Sequence, residues 1–467
     1  MIAHSKRSPR LHFLGGAGTV TGSRYLLESA SRTILIDCGM YQGLKQLRLR
    51  NWHPWPYDLA RLSAIVLTHA HIDHSGYLPR LYKLGYRGVV YCTPGTEALL
   101  KILLPDAAHL QEEEAEFANR YGYSKHHPAE PLYTAADAEG ALGLLCSVDY
   151  GATVDLGDGH ALCYWPAGHL LGAASAVIAL GDGQQRRRVL FSGDIGRYDD
   201  DFMADPQPPR GAIDYLLVES TYGNRSHPDD DLDAQLAQIV NATMDRGGVL
   251  LVPAFAVGRT QEVLFRLERI ERAGRIPTLN VYVDSPMAVD ATGIYKRFAQ
   301  DLNFDWSKTR SRLATAHCHF VKTTADSKAL HDVHGGAIII SASGMATGGR
   351  ILHHLRARLP DARNTVLFAG YQVEGTRGRK IVDGARRVRM LGSDVEVRAH
   401  IEDLRSFSAH GDRTDLLRWV GALESTPRRT FVVHGEPAAS QALRDTLDDE
   451  LGHDATVARL DAVVRLT

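Results

Sequence analysis

Short apolar segments separated by glycine-rich turns dominate the first part of the chain, up to about residue 208. Short runs of branched and aromatic residues bounded by turn residues are typical of β-strands. This pattern predicts strands at Arg10–Phe13, Ser23–Glu28, Thr33–Ile36, Ala64–Leu67, Gly88–Tyr91, His160–Trp165, Ser175–Leu180 and Arg188–Ser192. Helices are fewer, and the best candidates are His74–Leu84 and Thr96–Ala118. The first part is therefore predicted to be rich in β-structure.

From about residue 209 the pattern changes to an alternation of strands and helices. It predicts strands at Gly248–Phe255, Leu279–Asp284, Gly336–Ser341 and Thr365–Phe368, and helices at Asp231–Asp245, Thr260–Ala273 and Arg350–Arg358. Such alternation with apolar strands favours a mainly parallel, doubly wound sheet. The last region, about 395–467, is mixed again, with strands at Val395–Arg398 and Thr430–Val433 and helices at Thr414–Leu423 and Ala438–Leu451.

The composition limits the classes of function. A chain of 467 residues predicts two or three domains at roughly 100–200 residues each. The net charge of −2 excludes a globally basic nucleic-acid coat, so any contact with nucleic acid must come from local basic clusters. No apolar run is long enough to span a membrane, and five scattered cysteines without a Cys-x-x-Cys pair fit a reducing compartment. We therefore expect a cytoplasmic protein that does not associate with membranes.

The strongest chemical signal is the segment Thr68–His74, directly after a predicted strand. In extended backbone the side chains of His69 and His71 project to the same side, so both can reach one metal ion. Asp73 and His74 follow at the turn into a helix and offer an oxygen and a nitrogen to a second ion. So many buried imidazoles would carry a high desolvation cost without a metal. The segment therefore predicts a metal centre.

This His-x-His-x-Asp-His string resembles the metallo-β-lactamase superfamily, and the other motifs of that superfamily can be matched in order. The first is an aspartate that ends a strand, matched by Asp37. The third is a lone histidine, matched by His169, and the fourth is an aspartate after a strand, matched by Asp194.

Three further segments resemble the β-CASP nucleases within that superfamily. Val218–Gly223 contains Glu219 and resembles motif A, Phe407–Asp412 contains His410 and resembles motif B, and Val432–Glu436 contains His434 and resembles motif C. The resemblance extends over about residues 10–440. It implies an α/β fold in which a metallo-β-lactamase αββα sandwich, formed by residues 1–208 and 395–467, contains an inserted β-CASP domain at 209–394. His434 must then fold back beside His69.

The resemblance also implies a centre with two zinc ions per chain. His69, His71 and His169 would hold one Zn²⁺, while Asp73, His74 and His434 would hold the other and Asp194 would bridge both. Nitrogen and oxygen ligands of this kind suit zinc. A water between the ions would be the nucleophile that attacks phosphorus, with Asp73 among the catalytic residues. Asp37 would orient a ligand or the nucleophile.

Cleavage of a phosphodiester also needs a proton for the departing 3′-oxygen. The motifs imply that His410 supplies this proton as a general acid and that Glu219 holds its imidazolium in position. His400 matches no motif, and we expect it to be non-catalytic.

Substrate phosphates are expected to bind in the inserted domain. The turn Ser341–Gly349 lies between a predicted strand and a predicted helix, where backbone amides can cradle a phosphate. The residues predicted to contact phosphate are Ser343, Gly344, Thr347, Gly348 and Arg259. Arg377, Arg379 and Lys380 follow a nearby turn, and the cluster Arg386, Arg387 and Arg389 could extend a basic track, although a solvated face is the favoured interpretation of that cluster.

The sequence thus predicts a zinc-dependent ribonuclease that resembles the pre-mRNA 3′-end endonuclease and its bacterial and archaeal relatives. Single-stranded RNA is the expected substrate, in RNA processing or decay; the endonuclease mode, an additional 5′-to-3′ exonuclease mode and a homodimer are left open. One alternative is a DNA nuclease of the same family, a branch that typically lacks the histidine matched here by His434. Another is an inactive RNA-binding subunit, which would have lost metal ligands that this chain retains.

Overall fold

The computed structural model describes residues 8–122, 124, 126–181, 186–227, 231–303, 313–370, 372–404 and 407–467. They belong to two compact units, one formed by Met1–Ser226 and His410–Thr467 and the other by His227–Ala409. These divisions differ from the boundaries at 208/209 and 394/395 that we expected from the sequence. The reason is strand pairing, because Tyr215–Glu219 joins a sheet of the first unit and His400–Leu404 joins the sheet of the second.

The strands follow one another along the chain as β1 (Arg10–Phe13), β2 (Tyr25–Glu28), β3 (Thr33–Ile36), β4 (Leu62–Val66), β5 (Val89–Cys92), β6 (Leu145–Ser147), β7 (Thr153–Gly157), β8 (His160–Pro166), β9 (Ala174–Leu180), β10 (Arg187–Phe191), β11 (Tyr215–Glu219), β12 (Val249–Pro253), β13 (Asn280–Asp284), β14 (His317–Phe320), β15 (Ala337–Ser341), β16 (Thr365–Ala369), β17 (Arg387–Met390), β18 (Ser393–Glu396), β19 (His400–Leu404), β20 (Arg429–Val433), β21 (Ala455–Val457) and β22 (Val463–Arg465).

The α-helices span Lys45–Arg50, Ile72–Ser75, Leu78–Lys83, Pro94–Tyr121, Ala135–Leu142, Leu232–Asp245, Arg259–Arg272, Pro286–Arg297, Thr324–Ala329, Ile351–Arg358, Arg377–Val382, Arg413–Gly421 and Pro437–Leu451. Short 3₁₀ turns occur at Leu59–Arg61, Ala299–Asp301 and Leu330–Asp332.

The first unit contains two seven-stranded sheets, in the orders β22-β1-β2-β3-β4-β5-β6 and β21-β20-β11-β10-β9-β8-β7. Apolar side chains of both sheets meet in one core, which includes Phe13, Ile36, Phe191 and Phe431. Helices lie on the outside; the helix Pro437–Leu451, for example, contacts β20 and β21. This arrangement confirms the αββα sandwich expected from the sequence.

In each sheet of the first unit, the four strands at one end of the strand order run parallel. β3, β4, β5 and β6 run parallel in one sheet, and β10, β11, β20 and β21 run parallel in the other. The carboxyl ends of neighbouring parallel strands lie at the same edge, where α/β proteins commonly bind ligands. The chain continues from these ends into the segments that carry the predicted metal ligands.

The second unit contains a six-stranded sheet in the order β14-β13-β15-β12-β16-β19, in which all neighbouring strands are parallel. Alternate residues of β12 face opposite sides, so Leu250 packs with the helices Leu232–Asp245 and Arg259–Arg272, whereas Leu251 packs with the helix Ile351–Arg358. Helices thus cover both faces, which confirms the mainly parallel, doubly wound β-CASP sheet expected from the sequence.

Two local predictions were wrong. The predicted helix His74–Leu84 is two shorter helices, Ile72–Ser75 and Leu78–Lys83, because the amide of Tyr77 donates to the carbonyl of Cys38 and leaves the helical path. The predicted strand Val395–Arg398 is displaced to β18, which pairs with β17 as a hairpin. The β19 strand was missed because His400–Leu404 is mostly polar and has no apolar run.

Candidate metal centre

Local strand geometry brings the ligand-type residues of the first unit to the ends of its strands. Asp37 follows β3, the segment with His69 follows β4, Asp194 follows β10 and His434 follows β20. Each of these side chains is nearly fully buried. Because the strands are held in register by their sheets, segments distant in sequence converge on one place.

His69, His71 and His169 form a first group around a common point. Nε2 of His69 lies 3.1 Å from Nδ1 of His71, and Nε2 of His169 lies 3.2 Å from the same Nδ1. Ligand atoms about 2.0–2.1 Å from a tetrahedral zinc ion are themselves separated by roughly 3.3 Å. The three imidazole nitrogens therefore have the spacing of ligands to a single ion.

Asp73, His74 and His434 form a second group. Nε2 of His74 lies 3.2 Å from Nε2 of His434, and that nitrogen lies 3.5 Å from Oδ2 of Asp73. The ligand atoms of this group lie within 4.8 Å of one another. They offer two nitrogens and one oxygen, a donor set suited to zinc.

Asp194 lies between the two groups and turns one carboxylate oxygen toward each. Oδ2 is 3.5 Å from Nε2 of His69 and 3.7 Å from Nε2 of His169. Oδ1 is 3.3 Å from Nε2 of His74 and 3.3 Å from Nδ1 of His434. Among the described residues, Oδ1 has no hydrogen-bond partner although it is buried. A buried carboxylate oxygen without a donor is costly, and a cation beside it removes that cost. The residues present therefore fit a metal ion.

Asp37 orients His74 rather than joining either group. Its Oδ2 accepts a hydrogen bond from Nδ1 of His74 at 2.8 Å, while Thr68 donates to Asp37 from its amide and its hydroxyl at 2.8 and 3.0 Å. A carboxylate that accepts Nδ1–H fixes the histidine tautomer and leaves Nε2 for a metal. This geometry agrees with the orienting function implied by the sequence motifs.

Two residues of the centre have strained backbones. Asp37 has φ of 59° and His434 has φ of 46°, both in the left-handed region. For residues other than glycine this conformation costs about 1–3 kcal/mol and concentrates at functional sites. The amide of His434 donates a hydrogen bond to the carbonyl of Gly16 at 2.6 Å, which stabilises the left-handed conformation of His434.

The electrostatics of the centre favour bound cations. Burial, reinforced by His74, lowers the pKa of His69 well below its usual range, and burial lowers the pKa of His71 to about 4. Both imidazoles are therefore neutral, as metal ligands must be. Burial opposes ionisation of Asp194, but the nearby His434, His74 and His69 hold its pKa well below the usual range.

His74 differs from these neutral imidazoles. Burial lowers its pKa, but Asp194 and Asp37 outweigh that effect and raise the pKa of His74 well above its usual range. The two carboxylates thus stabilise positive charge at His74, whether a proton or a metal ion carries it.

Glu219 and His410 form a separate pair beside the metal groups. Oε1 of Glu219 accepts from Nδ1 of His410 at 3.0 Å and from the amide of Ile195 at 2.9 Å. Burial opposes protonation of His410, but Glu219 and Asp194 raise its pKa to about 9. Nε2 of His410 lies 3.8 Å from Oδ2 of Asp194, so this nitrogen faces the metal groups. The pair is arranged to keep a proton on His410 at neutral pH.

Two threonines of the centre were not assigned a function from the sequence. The Thr68 hydroxyl lies 3.1 Å from Nδ1 of His69, and the Thr221 hydroxyl lies 3.2 Å from Nδ1 of His434. The amide of Thr221 also donates to Oε2 of Glu219 at 3.0 Å. Both threonines lie within motif segments identified in the sequence. That position was the only sequence feature that could have indicated their contacts with the centre.

The residues predicted to bind phosphate are in the second unit. There the turn Ser343–Gly348 is closed on itself, because the amides of Thr347 and Gly348 donate to the hydroxyl of Ser343 at 3.1 and 3.4 Å. Gln372 supports the turn through the carbonyl of Gly344 at 3.2 Å. Phosphate binding by these residues stays a prediction.

Arg259 is engaged by other partners within the second unit. It forms a close ion pair with Glu262, and its guanidinium lies 5.7 Å from the ring of Phe407. Its side chain is only 9% exposed. The structure therefore shows a packing function for Arg259, and the predicted phosphate contact stays untested. Of the proposed basic track, Arg379 pairs with Asp383 and Arg389 lies 3.6 Å from Asp394, which favours a solvated face.

Comparison with protein families matches three stretches of the chain. Residues 17–231 match the metallo-beta-lactamase superfamily, residues 260–381 match the Beta-Casp domain, and residues 394–458 match the Zn-dependent metallo-hydrolase RNA specificity domain. The matches follow the order of the motifs found in the sequence.

Several curated proteins are similar over nearly the whole chain. Ribonuclease TTHA0252 of Thermus thermophilus is 38% identical over 95% of this chain and 97% of that protein. Transcription termination factor FttA of Methanosarcina mazei is 32% identical over 95% of this chain and 69% of that protein. FttA of Methanocaldococcus jannaschii is 30% identical over 94% of this chain and 68% of that protein.

A solved structure shows the same fold at low identity. The crystal structure of a protein of unknown function from Enterococcus faecalis has a TM-score of 0.54 and 13% identity, and the likeness covers 98% of this chain and 99% of that one. At this identity the likeness concerns the fold alone. The family matches and the similarity to whole relatives confirm the resemblance seen in the motifs: the chain belongs to the metallo-β-lactamase superfamily and, within it, to the β-CASP family.

Proposed function

We propose that this protein is a ribonuclease that hydrolyses phosphodiester bonds of single-stranded RNA at a centre with two zinc ions. The observation that carries the proposal is the position of Asp194, whose two oxygens face two separate groups of metal-ligating residues. The Glu219–His410 pair beside it supplies the proton donor that phosphodiester cleavage needs.

Two zinc ions fit the donor atoms of the centre. His69, His71 and His169 would hold one ion, Asp73, His74 and His434 the other, and Asp194 would contact both. All donors are nitrogen or oxygen, and the buried cysteines Cys38 and Cys92 belong to neither group. When bound, zinc ions would activate the attacking water and neutralise the charge that develops on the phosphate oxygens.

The protein residues supply orientation and a proton. Asp37 keeps Nε2 of His74 directed toward its group by accepting Nδ1–H. Glu219 accepts Nδ1–H of His410, so the ionisable proton of the imidazolium is on Nε2. That nitrogen faces Asp194 and can protonate the departing 3′-oxygen.

RNA is the favoured substrate because of the chain's relatives. Residues 394–458 match a domain described by its RNA specificity, and a relative at 38% identity is a ribonuclease. His434, which matches the motif C histidine that the resemblance links to the RNA-cleaving branch, lies in the second metal group. A cytoplasmic location and a homodimer stay predictions. Among the described residues, no helix combines the length and apolar character needed to cross a membrane.

Cleavage assays combined with elemental analysis test the proposal. Purified protein should contain two zinc ions per chain and cleave end-labelled single-stranded RNA in preference to DNA of the same sequence. The double substitution of His69→Ala and His71→Ala should lower the bound metal content and abolish RNA cleavage in the same protein. Preferred cleavage of DNA would support the DNA-nuclease alternative. RNA binding without cleavage by the zinc-loaded protein would support the inactive-subunit alternative, and one tightly bound ion with full activity would contradict the two-metal centre.

A further inference from the structure

Arg24 is a buried cation in the first unit, next to the start of β2. The residue is 5% exposed. Its Nε donates to the carbonyl of Gly39 at 2.7 Å and its Nη2 to Oδ1 of Asn51 at 3.2 Å. Its guanidinium lies 3.7 Å from the ring centroid of Tyr77 and 5.2 Å from that of Tyr41. Among the residues that the structure describes, none of these partners is a carboxylate.

A buried charge without an acidic partner is costly, because water is removed and no opposite charge replaces it. Burial accordingly lowers the pKa of Arg24. The two hydrogen bonds and two aromatic rings offset part of this cost. A neutral side chain would fill the same space without the cost, so the guanidinium is best explained by what its hydrogen bonds hold in place.

The hydrogen bond to Gly39 connects Arg24 to the metal-binding segment. Ser23 donates its amide to the carbonyl of Asp73 at 2.8 Å, and Cys38 donates its amide to the carbonyl of His74 at 2.7 Å. The amide of Gly39 donates to the carbonyl of Ser23 at 2.9 Å. The main chain of both metal-group residues is therefore fixed by the segment to which Arg24 bonds.

The backbone of Gly39 packs directly against the backbone of Asp73. A Cβ atom at position 39 would lie 1.6 Å from the carbonyl oxygen of Asp73, so only glycine can pack there. No side chain separates the two backbones, and a shift of Gly39 must shift Asp73. Arg24 anchors Gly39 through its carbonyl.

We infer that Arg24 is a positioning residue for the metal group of Asp73, His74 and His434. This inference rests on the proposed two-metal centre and assigns Arg24 to one half of it. Loss of the Gly39 anchor frees the backbone of Asp73 and His74. The first group is placed by other segments, because His69 and His71 follow β4 and His169 lies between β8 and β9. The ion held by the second group should therefore be weakened selectively.

Titration of metal-free protein with Co²⁺, followed by visible absorption, tests the inference. Wild-type protein should bind two equivalents. Arg24→Met retains the length of the side chain but removes the charge and the donors. It should bind the first equivalent with an unchanged spectrum and the second about 10–100-fold more weakly, the usual effect of losing a residue that orients metal ligands. Arg24→Lys keeps one donor for Gly39 and should restore part of that affinity.

Arg188→Met is the matched control. Arg188 also bonds backbone carbonyls, those of Ala212 at 3.1 Å and Arg210 at 2.8 Å, and its contacts with the described residues include no member of either metal group. This variant should bind both equivalents like wild type. If Arg24→Met is not folded by circular dichroism, Arg24→Lys decides: a weakened second equivalent supports the inference, and unchanged affinity overturns it.

Failure of the inference and failure of the proposed function give different results. Suppose that wild-type protein binds two equivalents of Co²⁺ and that Arg24→Met binds both with wild-type affinity. That result would overturn the assignment of Arg24 while leaving the two-metal centre intact. A single equivalent in wild-type protein would overturn the two-metal centre and the assignment of Arg24 together. Equal weakening of both equivalents in Arg24→Met would show a general structural effect and would also overturn the selective positioning function.

Discussion

Nδ1 of His410 lies 3.0 Å from Oε1 of Glu219, a carboxylate that is completely buried. Two backbone amides, those of Ile195 and Thr221, also donate to this carboxylate. Glu219 is therefore held firmly in place; it orients the histidine and raises the pKa of His410. We propose this pair as the proton donor for the departing oxygen.

Replacement of His410 should affect chemistry more than metal content. His410→Ala should slow RNA cleavage by about 10²–10⁴-fold, the usual contribution of a general acid. Glu219→Gln should act in the same direction, because an amide stabilises the imidazolium less well than a carboxylate does. Single-turnover kinetics and elemental analysis check both effects. The defect should shrink on a nitrophenyl phosphodiester, whose leaving group needs no proton. Loss of a zinc ion from His410→Ala would identify this residue as a ligand instead.

The pH dependence of cleavage should follow His410. Its pKa is raised to about 9, so the imidazole is protonated at neutral pH and loses its proton as the pH rises through that value. Bound metal ions are cations and shift this loss to lower pH. RNA cleavage should therefore fall on the alkaline side, whereas hydrolysis of the nitrophenyl ester should fall less. Superimposable pH–rate profiles for the two substrates would contradict the acid function.

Asp73→Ala should abolish cleavage while leaving RNA binding largely intact. Asp73 belongs to the second metal group, and phosphate affinity is expected to come mainly from the inserted domain. Fluorescence anisotropy with labelled RNA and a cleavage assay measure the two properties separately. Asp158→Ala removes an exposed aspartate paired with Arg32 and should change neither. Comparable losses of binding and cleavage in Asp73→Ala would show that the metals dominate substrate affinity.

Stability of the second unit should depend on Asp284. This buried carboxylate accepts from Ser327 at 2.6 Å, from His354 at 2.7 Å and from Arg350 at 2.8 Å. Asp284→Ala removes the shared acceptor of these donors and the carboxylate that pairs with Arg350, and it should lower the free energy of unfolding by about 3–5 kcal/mol. Asp290→Ala, which removes an exposed partner of Lys322, should change it by less than about 1 kcal/mol. Urea unfolding measures both; equal effects would contradict the buried network.

The same carboxylate predicts how stability changes with pH. Burial raises the pKa of Asp284, but hydrogen bonds from His354, Ser327 and Arg350 outweigh burial and hold the pKa below its usual range. A lowered folded-state pKa gives stability above the ordinary aspartate pKa that is lost as the pH falls through the folded value. The difference in unfolding free energy between wild type and Asp284→Asn should therefore narrow in acid and stay constant near neutral pH.

Much of the fold and the metal ligands could be predicted because their signals are local. The string at His69–His74 places four ligand-type side chains within one short segment, and apolar runs mark most central strands. Polar or short elements could not be predicted, since β19 lacks an apolar run and Tyr77 ends a helical pattern by bonding to Cys38.

By itself, the sequence determined which residue types are available and in what order: a metal-ligand string after a strand, further histidines and aspartates at strand ends, and an inserted unit of alternating strands and helices. Only the tertiary structure decided that Asp194 turns one oxygen toward each metal group, that Arg259 pairs with Glu262, and that Arg24 anchors Gly39. The physical reason is that these features depend on distances between side chains from separate segments. Sheet register and burial set such distances, and no local pattern of residues encodes them.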